Sequence, residues 1–504
     1  MADVFTDITA HRVYVAELSP YDPSTGAVVT KYVATAGFVT GPAETPANTY
    51  FEGRLTRDLT FRRSMFKPGQ LGGRSLPDMG DLRVMNMGEI DDWRNLHWDG
   101  RAVVIKAGLK GSAYADFQII FDGVSGSLVS AKDGYVLDLR DKQSLLDKLL
   151  QDTLYAGTGG NEGGDDLKDK PKPVAFGECL NITPVRVDSS SNVYDVHDGQ
   201  IEAVTAVYDN GKLLTLTTNY TVDLVNGRIT LTASPTGLIT ADIKGSKTSG
   251  AYVSTVADIV ERLVTDFGGL VPADLDAASF TALNSAAPAA IGYYSRTAAT
   301  GLLDLLDDIC DTVGAFYTFN RAGLLMVGQV VEPAVTADFE IDTADMLDNS
   351  LNVVSFGPVH WRRRIDYGRA WTVQLSDVLD ATATDAYKDF VGEEYRRVSA
   401  SDADIKLDGV GKGGQPNALD PNPRPGLLVD KTEAETEVAR QFDLYKVARD
   451  VVGVVVKTQV LAHDLGETCR VSHSRFGLST GQNFLVVELV EHIAQSEVEL
   501  TMWG

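Results

Sequence analysis

Three cysteines in 504 residues, Cys179, Cys310 and Cys469, are too few, too scattered and odd in number for a disulfide framework or a CxxC metal site. They read as reduced, partly buried apolar residues. No window approaches the ~18 consecutive apolar residues that a membrane span needs. The start, Met1-Ala2-Asp3-Val4-Phe5-Thr6-Asp7, lacks a basic region followed by an apolar run, so the chain is expected to be made in the cytosol and to have no membrane span. Basic charge is scarce too: 45 Lys plus Arg against 70 Asp plus Glu leave a formal charge of −25. Such a field opposes every phosphate contact and disfavours a stable grip on nucleic acid. It suits general solubility, or the wall of a conduit along which a polyanion slides without sticking.

Catalytic signatures are missing as well. H-E-x-x-H, G-x-S-x-G and G-x-x-x-x-G-K-S/T do not occur, which removes the simplest metalloprotease, serine hydrolase and P-loop readings. Gly409, Gly411 and Gly414 satisfy G-x-G-x-x-G, but prolines follow where a helix would have to aim its amides at a phosphate. Ser64-Met65-Phe66-Lys67 matches S-x-x-K without a Ser-Asp-Asn or Lys-Thr-Gly partner, a chance match. The histidines are isolated from one another, and His97, in His97-Trp98-Asp99-Gly100-Arg101, reads as packed or surface rather than as a ligand. A glycosidase needs only two carboxylates ~5–10 Å apart, and sequence does not rank such pairs. The reading assigns no catalytic, cofactor-binding or metal residue and no cofactor.

What is present is enough apolar sequence, 44%, to fold throughout, over a length that calls for three or four domains. The fold class expected is α+β, β-rich and multidomain. Residues 1–155 read as a small β barrel: His11 to Leu18 alternates, Val28 to Val39 is a second strand run, and Arg101 to Ala107 and Phe117 to Phe121 are strand-like. Lys142 to Leu154, with leucines at helical spacing, is expected to close it as a helix. Tyr155 to Pro173 is too polar and glycine-rich to pack and reads as a loop or linker. Residues 174–250 form an all-β insertion of short strands, with Asn210-Gly211 and Asn226-Gly227 at two-residue hairpin turns.

From Ser254 the period becomes helical. Val256, Ile259, Val260, Leu263, Val264 and Phe267 make one face, begun by Thr255 and stopped by Gly268-Gly269. A second helix at Leu302 to Val313 is followed by a hairpin, Ala315 to Phe319 and Leu324 to Val331, so 251–350 is an α+β domain. Residues 351–504 return to strands, at Val353-Val354 and Trp371 to Leu375, with a helix at Glu433 to Asp450. Trp93 and Trp98 serve either as interface anchors or as core closure. Trp361 beside Arg362, Arg363 and Arg364 reads either as a patch for an acidic neighbour or as a solvated edge.

The last 60 or so residues carry a likeness. A valine run (Val451, Val452, Val454 to Val456), the turn Asp464-Leu465-Gly466, Cys469-Arg470-Val471, the turn Gly477 to Gly481, Phe484 to Val490 and Glu497 to Gly504 form a β-rich end. It resembles the closing barrel domain of the tail-tip hub proteins of long-tailed bacteriophages. The helix, helix, strand, hairpin unit at 254–331 resembles the middle domain of such hubs. The insertion, through Val207 to Gly211, Asn219 to Asp223 and Ile239 to Gly245, looks like a phage structural module. The resemblance implies two tube-like β barrels, at 1–155 and 351–504, with the α+β domain and the insertion between them. It also implies a non-enzymatic homotrimer whose six barrels dock a threefold ring on a sixfold tail tube.

Its partners would be the distal tail protein ring and tail tube, a central fibre or tip protein, the tape measure protein in the lumen, and DNA only as passing cargo. Its location would be the tail tip of a virion, siphophage-like. The sequence departs from some relatives: no lysozyme-like domain is evident, and no cysteine set suits the iron–sulfur cluster of certain siphophage tip proteins. The alternative readings are a hexameric distal tail protein with a single ring-forming barrel, and, ranked last, a receptor-binding or polysaccharide-degrading tail protein. No 20 to 30 residue repeat supports the last.

Overall fold

Both ends of the chain build mainly antiparallel sheets, and one segment of the N-terminal half crosses over to complete the C-terminal one. The structure is a computed structural model that describes residues 4–5, 10–66, 73–247, 250–296, 299–357, 359–406, 415 and 417–504. The glycine triplet at 409–414 and Lys67 of the S-x-x-K match lie outside the described residues.

The N-terminal strands are β1 (Arg12–Leu18), β2 (Lys31–Ala34), β3 (Thr60–Ser64), β4 (Asp81–Met85), β5 (Arg101–Leu109), β6 (Gln118–Ala131) and β7 (Gly134–Arg140). Six of them pair in the order β2-β1-β5-β6-β7-β4. Residues 52–56 close that sheet. Glu52 and Leu55 bond to Tyr32 and Ala34 on β2, while Arg54 and Thr56 bond to Met85 and Arg83 on β4, at 2.7–3.1 Å. With both edges capped by the same stretch, the sheet leaves no free ladder there. The expected single run from Val28 to Val39 is divided into Ala27–Val28, Lys31–Ala34 and Phe38–Val39.

Lys142 to Leu154 is not a helix. Only Lys142–Leu146 forms a turn of 3₁₀ helix, capped by Asp141. Beyond it the backbone pairs elsewhere: Leu150 N donates to Thr300 O and Leu302 N to Lys148 O, both at 2.8 Å. Cross-chain pairing has taken the groups a helix would have used, and Leu149 and Leu154 are left exposed. The loop that follows packs at two points despite its glycines, since Tyr155 and Leu167 are buried with Val185 and Val187.

In the middle of the chain, β8 (Val174–Ile182), β9 (Ile201–Asp209) and β10 (Ile239–Ser246) share a sheet with β11 (Gly292–Ser295). Asn210 and Gly211, with φ of 51° and 84°, make the two-residue turn expected of them. At Asn226-Gly227 the loop runs from Asp223 to Arg228, two residues longer than expected, and only Gly227 has positive φ. Helix α1 (Val256–Arg262) is capped by Thr255 Oγ1 and passes into a π turn at 263–267 before Gly268. Helices α2 (Ala277–Ala286) and α3 (Leu302–Thr312) pack with it under the hairpin β12 (Ala315–Phe319) and β13 (Leu325–Gln329). The apolar face of α3 forms because Leu302, Leu305, Leu306 and Ile309 recur every three or four residues, and all four are buried.

The C-terminal strands are β14 (Phe339–Ile341), β15 (Asn352–Phe356), β16 (Asp450–Lys457), β17 (Thr468–Val471), β18 (Gln482–His492) and β19 (Glu497–Trp503). They pair in the order β14-β17-β18-β19-β16-β15, and β3 adds to β18. Helix α4 (Lys431–Tyr445) stops before the expected Asp450. Asp450 instead opens β16, and its N–H donates to Gly504 O at 2.9 Å, so the valine run draws the chain into the sheet. Trp371 to Leu375 is not a strand. Trp371 N donates to Leu180 O and Gln374 N to Val391 O, two separate partners rather than one ladder.

The two sheets share one strand path. β5-β6-β7-β4 and β17-β18-β19-β16 are each a three-strand meander whose last strand pairs with the strand preceding the meander. A 3₁₀ turn sits at the same place in both, Asp91–Asn95 before β5 and Thr458–Ala462 before β17. Each central hairpin carries a bulge, between Ser125 and Leu128 and between Val486 and Glu488. One hydrophobic core spans both ends, from Leu18, Ile105 and Leu137 to Val454, Leu489 and Leu500.

Candidate functional site: the seam between the terminal sheets

The feature that joins the two sheets is β3. Its alternation puts Phe61 and Arg63 inward and Arg62 outward. The strand runs antiparallel to the second half of β18, from Glu488↔Ser64 to His492↔Thr60. Phe61 stacks on Phe121 of β6 with ring centroids 5.4 Å apart, so one side chain of β3 packs on the N-terminal sheet while its backbone belongs to the other.

Arg63, only 3% exposed, is the electrostatic centre of the seam. It donates to Asp464 Oδ1 at 2.7 Å and Glu491 Oε1 at 2.6 Å. Arg321, from the turn between β12 and β13, donates to the same Glu491 oxygen at 2.8 Å and to the carbonyls of Leu461 and His463. Glu491 is 1% exposed. Two distant stretches of chain therefore converge on one buried carboxylate of a third. Burial works against the Asp464 carboxylate, but Arg63, Arg321 and the Leu465 N–H more than offset it and hold its pKa below the usual range. Burial also opposes the Arg63 charge, and Asp464 and Glu491 overcome it, so its pKa is raised.

Beside this network Asp141 is 6% exposed. Burial pushes it up to about 7, against a single backbone donor, Gln143 N. On the outer face, Arg62 pairs with Glu488 along a groove of about 370 Å³ that Asp78 and Glu499 also line.

The sequence-level candidates fall elsewhere. Trp93 and Trp98 are buried with rings 5.2 Å apart, and Trp98 Nε1 donates to Trp93 O at 3.0 Å, which is core closure. The basic run at 362–364 is met from within the chain. Arg362 and Arg364 both pair with Asp420, and buried Arg363 donates to Gln441 Oε1 at 2.8 Å and lies over the Tyr445 ring. His97 is exposed beside Tyr21. His197 and His360 are buried, and desolvation pushes each down to about 4, helped at His360 by Arg363 and Arg424. All three cysteines are free and buried. Among the described residues no group of three or more His, Cys, Asp or Glu is placed to hold a metal, and no helix is long and apolar enough to cross a membrane. The seam itself escaped sequence reading; the only local signal was Arg62-Arg63 in an otherwise strand-like run.

No protein-family model and no curated protein matches the chain. Several solved structures are similar to it. A chain of the native gene transfer agent virion is 12% identical, with 67% of this chain and 84% of that one covered and a TM-score of 0.43. A tail protein from Neisseria meningitidis MC58 is 10% identical over 91% of this chain and 94% of that one, with a TM-score of 0.37. A prophage tail protein from Listeria monocytogenes EGD-e is 7% identical over 98% and 94%, also at 0.37.

Proposed function

We propose that this chain is a structural hub of a phage tail tip or baseplate and has no enzymatic role. The observation that carries the reading is the shared strand path of the two terminal sheets. A chain with two like modules presents six from three copies, so a homotrimer meets a sixfold tube with a ring of quasi-equivalent units. The divisions expected from sequence, 1–155, 174–250, 251–350 and 351–504, are the modules of that hub. Its place is the virion, between the distal tail protein ring with the tail tube on one side and a central fibre or tip protein on the other. The tape measure protein occupies its lumen and DNA passes through. A net charge of −25 favours passage of a polyanion over its capture.

Native mass spectrometry of the purified chain tests the reading directly. A trimer is expected, whereas a hexamer supports the distal tail protein instead. Particles lacking the protein should fail to complete the tail tip. The purified chain should not hydrolyse peptidoglycan or capsule, and turnover abolished by changing one carboxylate would refute the non-enzyme part.

A further inference from the structure

We propose that the crevice beside Arg63 and Arg321 is a binding site for one internal water molecule, which completes the charge network of the seam. Each guanidinium offers Glu491 a fork made of Nε and Nη2, the arrangement that matches a carboxylate bidentately. Here both forks are half used. Arg63 places Nη2 on Oε1 at 2.6 Å and Arg321 places Nε on the same oxygen at 2.8 Å. The other prongs, Arg63 Nε and Arg321 Nη2, and the second oxygen, Glu491 Oε2, are all buried and make no hydrogen bond within the protein.

Of these atoms the two donors belong to residues that line one crevice, and with the partnerless Asp141 Oδ2 on the same lining they fit a molecule that both donates and accepts. The two arginines line a crevice of about 10 Å³, together with Phe61, Phe319 and Asp141, whose Oδ2 also has no partner. That volume is about one water and no more.

The test is a crystallographic or cryo-electron-microscopy map of the full chain at a resolution that shows ordered solvent. The expected result is one peak within about 2.7–3.2 Å of Arg63 Nε or Arg321 Nη2, with a second contact to Asp141 Oδ2. Two results would overturn the proposal. One is a crevice closed by its apolar lining, and the other is a Glu491 carboxylate turned so that Oε2 takes a free prong directly.

Discussion

The two terminal sheets follow one path but are completed differently. In the N-terminal sheet the strand beside the long central strand β6 is β5, nine residues long, and the closing stretch 52–56 lies nearby in the chain. In the C-terminal sheet the matching strand, β17, has four residues, and β3 continues it along β18 from more than 400 residues earlier in the chain. One sheet is therefore made from contiguous sequence, while the other depends on a borrowed strand. The borrowed strand brings the ion cluster with it, so the C-terminal sheet is where damage to the seam should concentrate.

The largest effect is expected from Glu491→Ala. It leaves Arg63 and Arg321 buried beside a missing partner, and breaking a buried pair in this way costs about 3–5 kcal/mol. Hydrogen exchange resolved by peptide should speed up in β18 and β19 well beyond β5 to β7. Equal acceleration in the two sheets would mean that the borrowed strand is not the point of coupling. Phe61→Ala comes next, at about 3 kcal/mol, because it removes a fully buried ring stacked on Phe121. Its urea midpoint should fall, and because Phe121 belongs to β6, exchange should rise in both sheets rather than one.

Asp141→Asn should stabilise. The folded-state pKa lies above the ordinary carboxylate value, so ionising Asp141 in the fold is resisted, and stability is lost as pH rises from about 4 to about 7 and stays lost above that. Asparagine keeps an oxygen for the Gln143 N–H and carries no charge. The variant should match the native chain at pH 4 and show a higher Tm at pH 8. A Tm difference independent of pH would show that Asp141 does not titrate in this window.

How much of this was legible in sequence depends on the range over which each feature is decided. The stripe at Leu302 to Ile309 and the Asn210-Gly211 turn are settled by neighbours within a few residues, and both appear where expected. Lys142 to Leu154 has an equally regular leucine spacing, yet its backbone is recruited by residues 300–302, which no local pattern announces. The helix ending at Tyr445 overran in prediction for a similar reason, since Asp450 is bonded to the last residue of the chain. The seam is the extreme case. Arg63, Arg321 and Glu491 sit in three ordinary-looking stretches, and only the pairing of β3 with β18 brings Arg63 to Glu491.

The smallest expected effect separates the two faces of the borrowed strand. Arg62 and Arg63 are adjacent on β3 and both pair with a glutamate of β18, but they point to opposite sides. The Arg62 side chain is 44% exposed, so water and salt already screen its attraction to Glu488, and the side-chain entropy released by truncation offsets part of the loss. Arg62→Ala should therefore change stability by less than about 1 kcal/mol, and the change should shrink further as salt is raised. Arg63→Ala, one residue along, should cost several times more and respond less to salt, because Arg63 and its partner Glu491 are buried and Asp464 is only partly exposed. Urea midpoints of the two variants at low and high salt measure both quantities. If the two substitutions proved equal, the inward face of β3 would be no more than another exposed edge, and the C-terminal sheet would not rely on it.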